Sequence, residues 1–543
     1  MPALTGFIFF IFIQCVVVVR GVSHRWCRDS TRRKIVKNVT LMHYLPESRV
    51  VMPKRRSPST LVLTCLKEIC SSIDWFASHH RQQFVCLTSD LVSRIFNRLK
   101  TRPDLTVEHF QLVVTDHVNC IDLSNPYQHD KWDSYIDSVL DIICVRKPNL
   151  IRINFSNVLR IPDIFWSHII QSLTSLQIIS LRSTNCSDQQ VFTIVKHCRN
   201  LRELDLSLCE RVTNWSISYL CEEAEEGLKL QHLDLMQTQV DERGIRSALQ
   251  RCPGLRSLKW RNTINVLGQI YRDLSGNRSL TTPPSFSLHQ LISDHSYRLC
   301  SLPGAVQLCR HAVQVIIDGP SLLLAKELQS LEHLVCLREL HVLLASNNSS
   351  EFQLNFREGF DLILLKHGPT LEHLSLGRIH NVNLQQIARY CRQLTSLSLE
   401  SNHSYDHTET STETIQCLSK FHVIIRDRER VDVDDSVRDV PGSCLSALIS
   451  SKNMKQIKIR ACQTLDDDIL VNALVGPNLE TLELESCSNI SMKSLWLVTE
   501  RSERLSNLKV YRCQLVNYRE IAELYAVINE QHCDLDVDYY SDD

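Results

Sequence analysis

Cysteine and histidine are the residue types best equipped for chemistry here, with 22 of each among 543 residues. Thiolates and imidazoles close zinc sites, and a thiolate beside an imidazole is a nucleophile. Both uses depend on spacing. The closest cysteines are Cys65 and Cys70, so the Cys-x-x-Cys pair of zinc ribbons and fingers is absent. His79 and His80 are adjacent, yet there is no histidine-rich tract and no His-Glu-x-x-His. Phosphate-cradling loops need clustered glycines. With 14 glycines the chain has no Gly-x-Gly-x-x-Gly, no Walker A pattern and no Gly-x-Ser-x-Gly. These spacings predict no catalytic residue, no metal site and no cofactor, so the chain is expected to be a non-enzyme that acts by binding.

Charge narrows what it binds. The net charge is −1 and the sequence pI about 7.1, which leaves no global field to hold nucleic acid or an anionic membrane. Neither is expected as a partner, and protein is.

The elements that would position a binding surface are spelled by one returning phrase. "NLRELDLSLCERVT" starts at Asn200, "NMKQIKIRACQTLD" at Asn453 and "NLETLELESCSNIS" at Asn478. Each carries a Leu-x-x-Leu-x-Leu pattern: Leu201, Leu204, Leu206; Met454, Ile457, Ile459; Leu479, Leu482, Leu484. Further copies open at Leu150, Leu176, Leu255, Leu371, Leu394 and Leu505. Well-formed neighbours lie about 25 residues apart, the period of a leucine-rich repeat.

The physics of one unit explains this spelling. Leu204 and Leu206 alternate along a short strand, so they share its buried face while Glu203, Asp205 and Ser207 face out. A helix must then return the chain for a parallel neighbour. Ile217, Leu220, Cys221 and Ala224 have its spacing, as do Ile245, Ala248, Leu249 and Cys252, and Leu384, Ile387, Ala388 and Cys391. The expected fold class is α/β, a solenoid with parallel strands on the concave face and helices on the convex face, over residues 116–543. Residues 262–305, with "GNRSLTTPPSFS", and 402–450, with "SYDHTETSTET" and "RDRERVDVDDSVRD", are expected as insertions. The outward strand positions expected to meet a protein substrate are Glu203 and Asp205, Lys259 and Arg261, Lys458 and Arg460, and Glu483 and Glu485.

The cysteines fit this scheme. Cys209, Cys462, Cys487 and Cys513 each lie three residues after the last apolar residue of a strand, and Cys198, Cys252 and Cys391 each end a return helix. The pattern resembles the cysteine-containing leucine-rich repeats of F-box receptors and of the antagonist-of-mitotic-exit proteins. There the cysteine is a small buried residue, a role its packing suits.

Residues 52–115 differ in composition. "TLVLTCLKEICSSIDWF" places Leu61, Cys65 and Ile69 four apart, with Leu66, Cys70, Ile73 and Phe76 continuing an apolar helical stripe. Such a helix could simply cap the open end of a solenoid. Thr60, Leu61, Cys65 and Ile69 also resemble the elongin-binding box, in which a leucine fills a pocket on the adaptor. Leu87, Leu91 and Ile95 resemble the cullin-selecting box that follows it, with Thr88 where proline is expected. The same segment, with Asp90, Val92, Phe96 and Leu99, matches the first half of an F-box, but no tryptophan follows until Trp132. The order of basic start, elongin-type helix, second helix and cysteine-containing repeats resembles the antagonist-of-mitotic-exit family. It also resembles the zyg-eleven-type receptors of cullin ligases, although the armadillo repeats of the latter are not seen. The resemblance implies a substrate-recognition subunit of a cullin-RING ubiquitin ligase. Elongin B/C and a cullin, or else the SCF adaptor, would dock on the N-terminal helices.

Residues 1–51 read as a disordered leader or upstream extension. "FIFFIFIQCVVVV", Phe7 to Val19, has signal-peptide length and is too short to span a bilayer. "MPKRRSPS" from Met52 would serve as an intracellular start, which implies a cytoplasmic or nuclear protein. Secretion is the alternative, supported by nine Asn-x-Ser/Thr sequons, among them Asn38, Asn277 and Asn402. Asn214 and Asn489 fall inside the repeat phrase itself.

Overall fold

The computed structural model describes residues 61–79, 87–100, 102, 106–125, 130–146, 149–158, 160–162, 165–276, 285–294, 301–319, 323–345, 354–406, 415–425, 437–473, 478–530 and 535–541. The expected leader (residues 1–51), Thr60 and the centres of both expected insertions lie outside them. Two compact units divide the chain. The first takes in Pro58–Asp122 and Asp137–Asn149, the second Leu123–Ile136 and Leu150–Asp543. The helical unit thus runs past the boundary at residue 115 that composition suggested.

The first unit packs four short helices, α1 (Leu61–Ser71), α2 (Ile73–His79), α3 (Ser89–Leu99) and α4 (Val107–Val113). With them go strand β1 (Cys120–Asp122) and the later turns of α5 (Asp130–Arg146). Leu66, Ile69, Cys70 and Ile73 form one buried stripe, and Val92, Ile95, Phe96 and Leu99 another. Both follow the helical period. Phe96 meets Phe110 of α4 with ring centroids 5.7 Å apart. Polar ties fix the helix ends. His109, itself 2% exposed, bonds Asp74 at 2.7 Å, and Lys100 Nζ donates to the Asp122 carbonyl at 2.8 Å.

The second unit is a leucine-rich-repeat solenoid of parallel strands and return helices. Five three-residue strands come first: β2 (Arg152–Asn154), β3 (Ile178–Ser180), β4 (Glu203–Asp205), β5 (His232–Asp234) and β6 (Ser257–Lys259). A ten-stranded sheet follows. Its strands are β7 (Gln290–Asp294), β8 (Gln314–Asp318), β9 (Glu339–Leu343), β10 (His373–Gly377) and β11 (Ser396–Glu400), then β12 (Lys420–Ile424), β13 (Gln456–Arg460), β14 (Thr481–Glu485), β15 (Asn507–Tyr511) and β16 (Asp536–Tyr540). Successive strands pair without slippage, so Leu374, Leu397, Phe421, Ile457, Leu482 and Leu508 stand in one buried row.

Both expected insertions contain repeats. Segment 262–305 supplies the helix Thr263–Gly276 and β7, and 402–450 supplies β12 and the helix Gly442–Ile449. A strand needs only alternation, and Phe421 with Val423 provides it in β12 without any leucine.

Several turns out of the strands share one form. A left-handed residue, among them Ser183, Leu208, Ser401, Ala461, Ser486 and Arg512, precedes a small buried polar or thiol side chain. At Cys209, Asn402, Cys487 and Cys513 that side chain ties one repeat to the one before. Cys209 Sγ donates to the Leu181 carbonyl at 3.0 Å, and Asn402 Nδ2 to the Leu376 carbonyl at 3.1 Å. At the convex side Cys198, Cys252 and Cys391 cap return helices with their backbone N–H, and Cys309 does the same. Among the described residues no helix is long and apolar enough to cross a membrane.

Candidate protein-binding face

Every strand of the solenoid turns alternate side chains outward, and the parallel register lines them up in rows. This places the eight substrate-binding candidates on one kind of surface with different local company. Lys458 and Arg460 of β13 stand opposite Glu483 and Glu485 of β14. The pairs close at 2.9 Å for Lys458–Glu483 and 3.3 Å for Arg460–Glu485. Arg512 adds a contact to Glu485 at 3.8 Å. These four candidates therefore neutralise one another and form a single ladder, not two independent charged patches.

Glu203 and Asp205 lie on β4 and belong to a hollow of about 300 Å³ over β3–β6, together with His232, Asp234 and Lys259. Asp205 is held by hydrogen bonds from Ser180 Oγ (2.9 Å) and Ser207 Oγ (2.6 Å). Burial raises the Asp234 carboxyl above its ordinary range and nearby Asp205 adds to this, while the Met236 N–H and Lys259 oppose it. Lys259 Nζ lies 3.5 Å from Asp234. Arg261 sits beyond β6, with its guanidinium 5.8 Å from the centre of the Trp260 ring.

A second hollow, about 350 Å³, lies over β8–β11 and contains none of the expected residues. Ile316, Glu339, His341, His373, Ser375 and Ser398 line it. It exists because neighbouring outward positions on β10 and β11 hold serines, whose side chains stop short where other strands carry lysine or glutamate. Burial holds the His341 imidazole below the usual histidine range, against the pull of Asp318. The signal available in the sequence was the alternation in "QVIID", "ELHVL", "HLSLG" and "SLSLE".

The adaptor-docking candidates fall in the first unit. Leu61 opens α1, and Cys65 is half-buried on the same helix, as are Leu87 and Leu91 around the start of α3. Ile69 and Ile95 are 7% and 0% exposed, inside the unit's own core. In this conformation neither can offer surface to a partner, because its apolar area is already spent on α1–α3 packing.

No family model matches the chain, and no curated protein matches it. Among solved structures it is similar to a chain of the yeast Rad7 and Elc1 complex, at 14% identity and a TM-score of 0.41, with 86% of this chain and 96% of that one covered. A second likeness is to actin-binding site 2 of leiomodin-1, at 18% identity and a TM-score of 0.21, covering 26% of this chain and 94% of that one. Likeness at this level bears on neither partner nor activity. The solenoid stands on its own strand registers and buried rows. Among the described residues no group of three or more His, Cys, Asp or Glu side chains could hold a metal ion.

Proposed function

We propose that this chain is a non-catalytic substrate-recognition subunit of a cullin-RING ubiquitin ligase. The observation that supports recognition is the run of in-register outward rows over the strands of the solenoid. Many modest side-chain contacts spread along such rows can add to a specific protein interface. The ligase half of the reading rests on the residues of the first unit that resemble an elongin-binding box. Leu61 and Cys65 would meet elongin C, while buried Ile69 would anchor α1 to its own unit. Docking of the SCF adaptor through Leu87 and Leu91 is the competing arrangement of the same helices.

Co-expression of the full chain with elongin B/C, and separately with the SCF adaptor, tests this by affinity capture. Retention of elongin supports the proposal as stated, and retention of the SCF adaptor moves it to the F-box arrangement. Retention of neither removes the ligase and leaves a binding scaffold. Expression of the full chain also tests the proposed cytoplasmic or nuclear compartment: glycosidase-sensitive forms would overturn it in favour of secretion.

A further inference from the structure

The hollow over β8–β11 has surroundings unlike the rest of the strand face. The outward positions of β7–β11 hold the carboxylates Asp294, Asp318, Glu339 and Glu400 and no lysine or arginine. Cations return to outward positions only from β12, as Lys420, Lys458, Arg460 and Lys509. The nearest arginine before β9, Arg338, lies off the outward rows and pairs with Glu372 at 3.1 Å. A partner's cation entering this stretch meets carboxylate on several sides and no like charge on the strands themselves.

The hollow's own chemistry narrows the cation. Gln314 Nε2 donates to one carboxylate oxygen of Glu339 at 2.7 Å and so orients the group at the rim. His341 and His373 offer imidazole rings, Ile316 an apolar wall, and Ser375 and Ser398 a floor of hydroxyls. A lysine ammonium is a compact, strongly hydrated charge that loses much on entering a partly apolar hollow. A guanidinium is planar and weakly hydrated, stacks on flat rings, and bonds a carboxylate through two parallel N–H groups.

We propose that this hollow receives an arginine side chain from a basic, extended segment of the partner protein. The inference deepens the proposed function and rests on its reading of the strand face as the partner-binding surface. The partner's chain would run across β8–β11, with a neighbouring basic residue facing Asp318.

Fluorescence anisotropy of labelled hexa-arginine against the full chain tests it, with labelled hexalysine and hexaglutamate as comparisons. Hexa-arginine is expected to bind most tightly and hexaglutamate not at all. Glu339→Gln should weaken hexa-arginine about tenfold. Ser375→Trp, which fills the hollow at an outward position, should abolish binding while the melting temperature stays within the usual range of surface variants. Glu222→Gln, on the exposed side of the return helix Asn214–Glu225, should leave hexa-arginine binding unchanged. Equal binding of hexalysine and hexa-arginine, no effect of Glu339→Gln, or an equal loss through Glu222→Gln would each overturn the assignment. Elongin capture reads the other unit, so its failure would be separable from a failure here.

Discussion

Thr263 Oγ1 donates to the Ile292 carbonyl at 2.9 Å and accepts from the Ile292 N–H at 3.1 Å. One buried hydroxyl thus satisfies both backbone groups of a residue in β7, at the point where the strand ladder of β2–β6 ends and that of β7–β16 begins. The two ladders remain one solenoid because His289 N–H still reaches the Arg256 carbonyl at 2.8 Å.

Thr263→Val keeps the shape and removes the hydroxyl, leaving a buried donor and acceptor without their partner. Each such group costs about 1–3 kcal/mol. Urea unfolding of Thr263→Val should show a loss in that range or above, and Thr263→Ser should recover most of it. Equal stability of all three chains would mean that Ile292 finds other partners.

The ladder on β13 and β14 makes a separate prediction. Lys458→Glu places two carboxylates opposite each other at a register position, and Lys458→Glu with Glu483→Lys restores opposite charges. Exposed pairs of this kind contribute about 0.2–1 kcal/mol. The single variant should therefore lower the melting temperature slightly, and the double variant should restore it. Partner capture should fall in both if this ladder lies in the footprint. Unchanged capture in both would place the partner elsewhere on the strand face.

How far the sequence could be read follows from what each residue signals. Leu204 and Leu482 mark their strands because leucine spelling and spacing coincide there, and Ile457 marks its own by the same spacing with Met454 and Ile459. Strands β7 and β12 are hard to read because they lie within turn-rich stretches that read as insertions, and β8 because Ala312, Val315 and Ile317 replace its leucines, whereas β9 carries the repeat spelling in Leu337, Leu340 and Val342. The thiol positions were legible as small buried sites, but not their bond to the carbonyl of the preceding repeat, which depends on the left-handed residue before each. At the face itself, alternation with Ile457 and Leu482 places Lys458 and Glu483 outward. Only the register showed that they cancel. The second hollow was invisible because it is made of missing side-chain volume at Ser375 and Ser398. In the first unit one apolar stripe was read twice, as core and as docking surface, and Ile69 cannot be both.

Thiol reactivity should map this packing. Burial pushes the Cys198, Cys309 and Cys391 thiols up to about 12, and their side chains are fully enclosed. The Cys252 thiol donates to Cys221 at 3.9 Å and holds it below the usual thiol range, yet Cys221 too is fully enclosed. Reaction needs both thiolate and access. Iodoacetamide at pH 8, read by peptide mass mapping, should label exposed Cys417 quickly and these four only after urea unfolding. Rapid native labelling of Cys221 would mean that its return helix opens locally.

Three histidines, His341, His367 and His422, are held by burial below the usual value of 6.5. The sign follows directly. As pH falls through about 6.5 the unfolded chain takes up protons that the folded chain refuses, so stability is complete above that value and is lost below it. Each group contributes at most about 1.4 kcal/mol per pH unit until its lowered native value is reached. Asp188 and Asp467, which hydrogen bonds hold below the usual 3.8, weaken the fold only in a more acidic range. The melting temperature should therefore decline between pH 7 and 5.5, and His367→Gln should reduce the slope. A flat profile across that interval would contradict the buried neutral state of these rings.

Docking through the first unit is separable from its folding because the candidate residues differ in burial. Cys65, Leu87 and Leu91 retain exposure, whereas Ile69 and Ile95 are core. Leu61→Ala with Cys65→Ala should release elongin C, since truncating an interface anchor costs about 2 kcal/mol or more, roughly a thirtyfold loss of affinity. The unfolding midpoint should stay near that of the unaltered chain. Ile95→Ala should behave oppositely, opening a cavity at a cost of about 2–5 kcal/mol and destabilising the unit before any effect on adaptor binding can be separated. Leu87→Ala with Leu91→Ala distinguishes the two adaptors. Loss of SCF-adaptor capture through that pair, with no elongin retained by the unaltered chain, would assign α3 as the docking helix. If Leu61→Ala with Cys65→Ala instead lowers the midpoint by as much as Ile95→Ala, α1 is a packing helix, and its resemblance to an elongin-binding box comes from an apolar stripe alone.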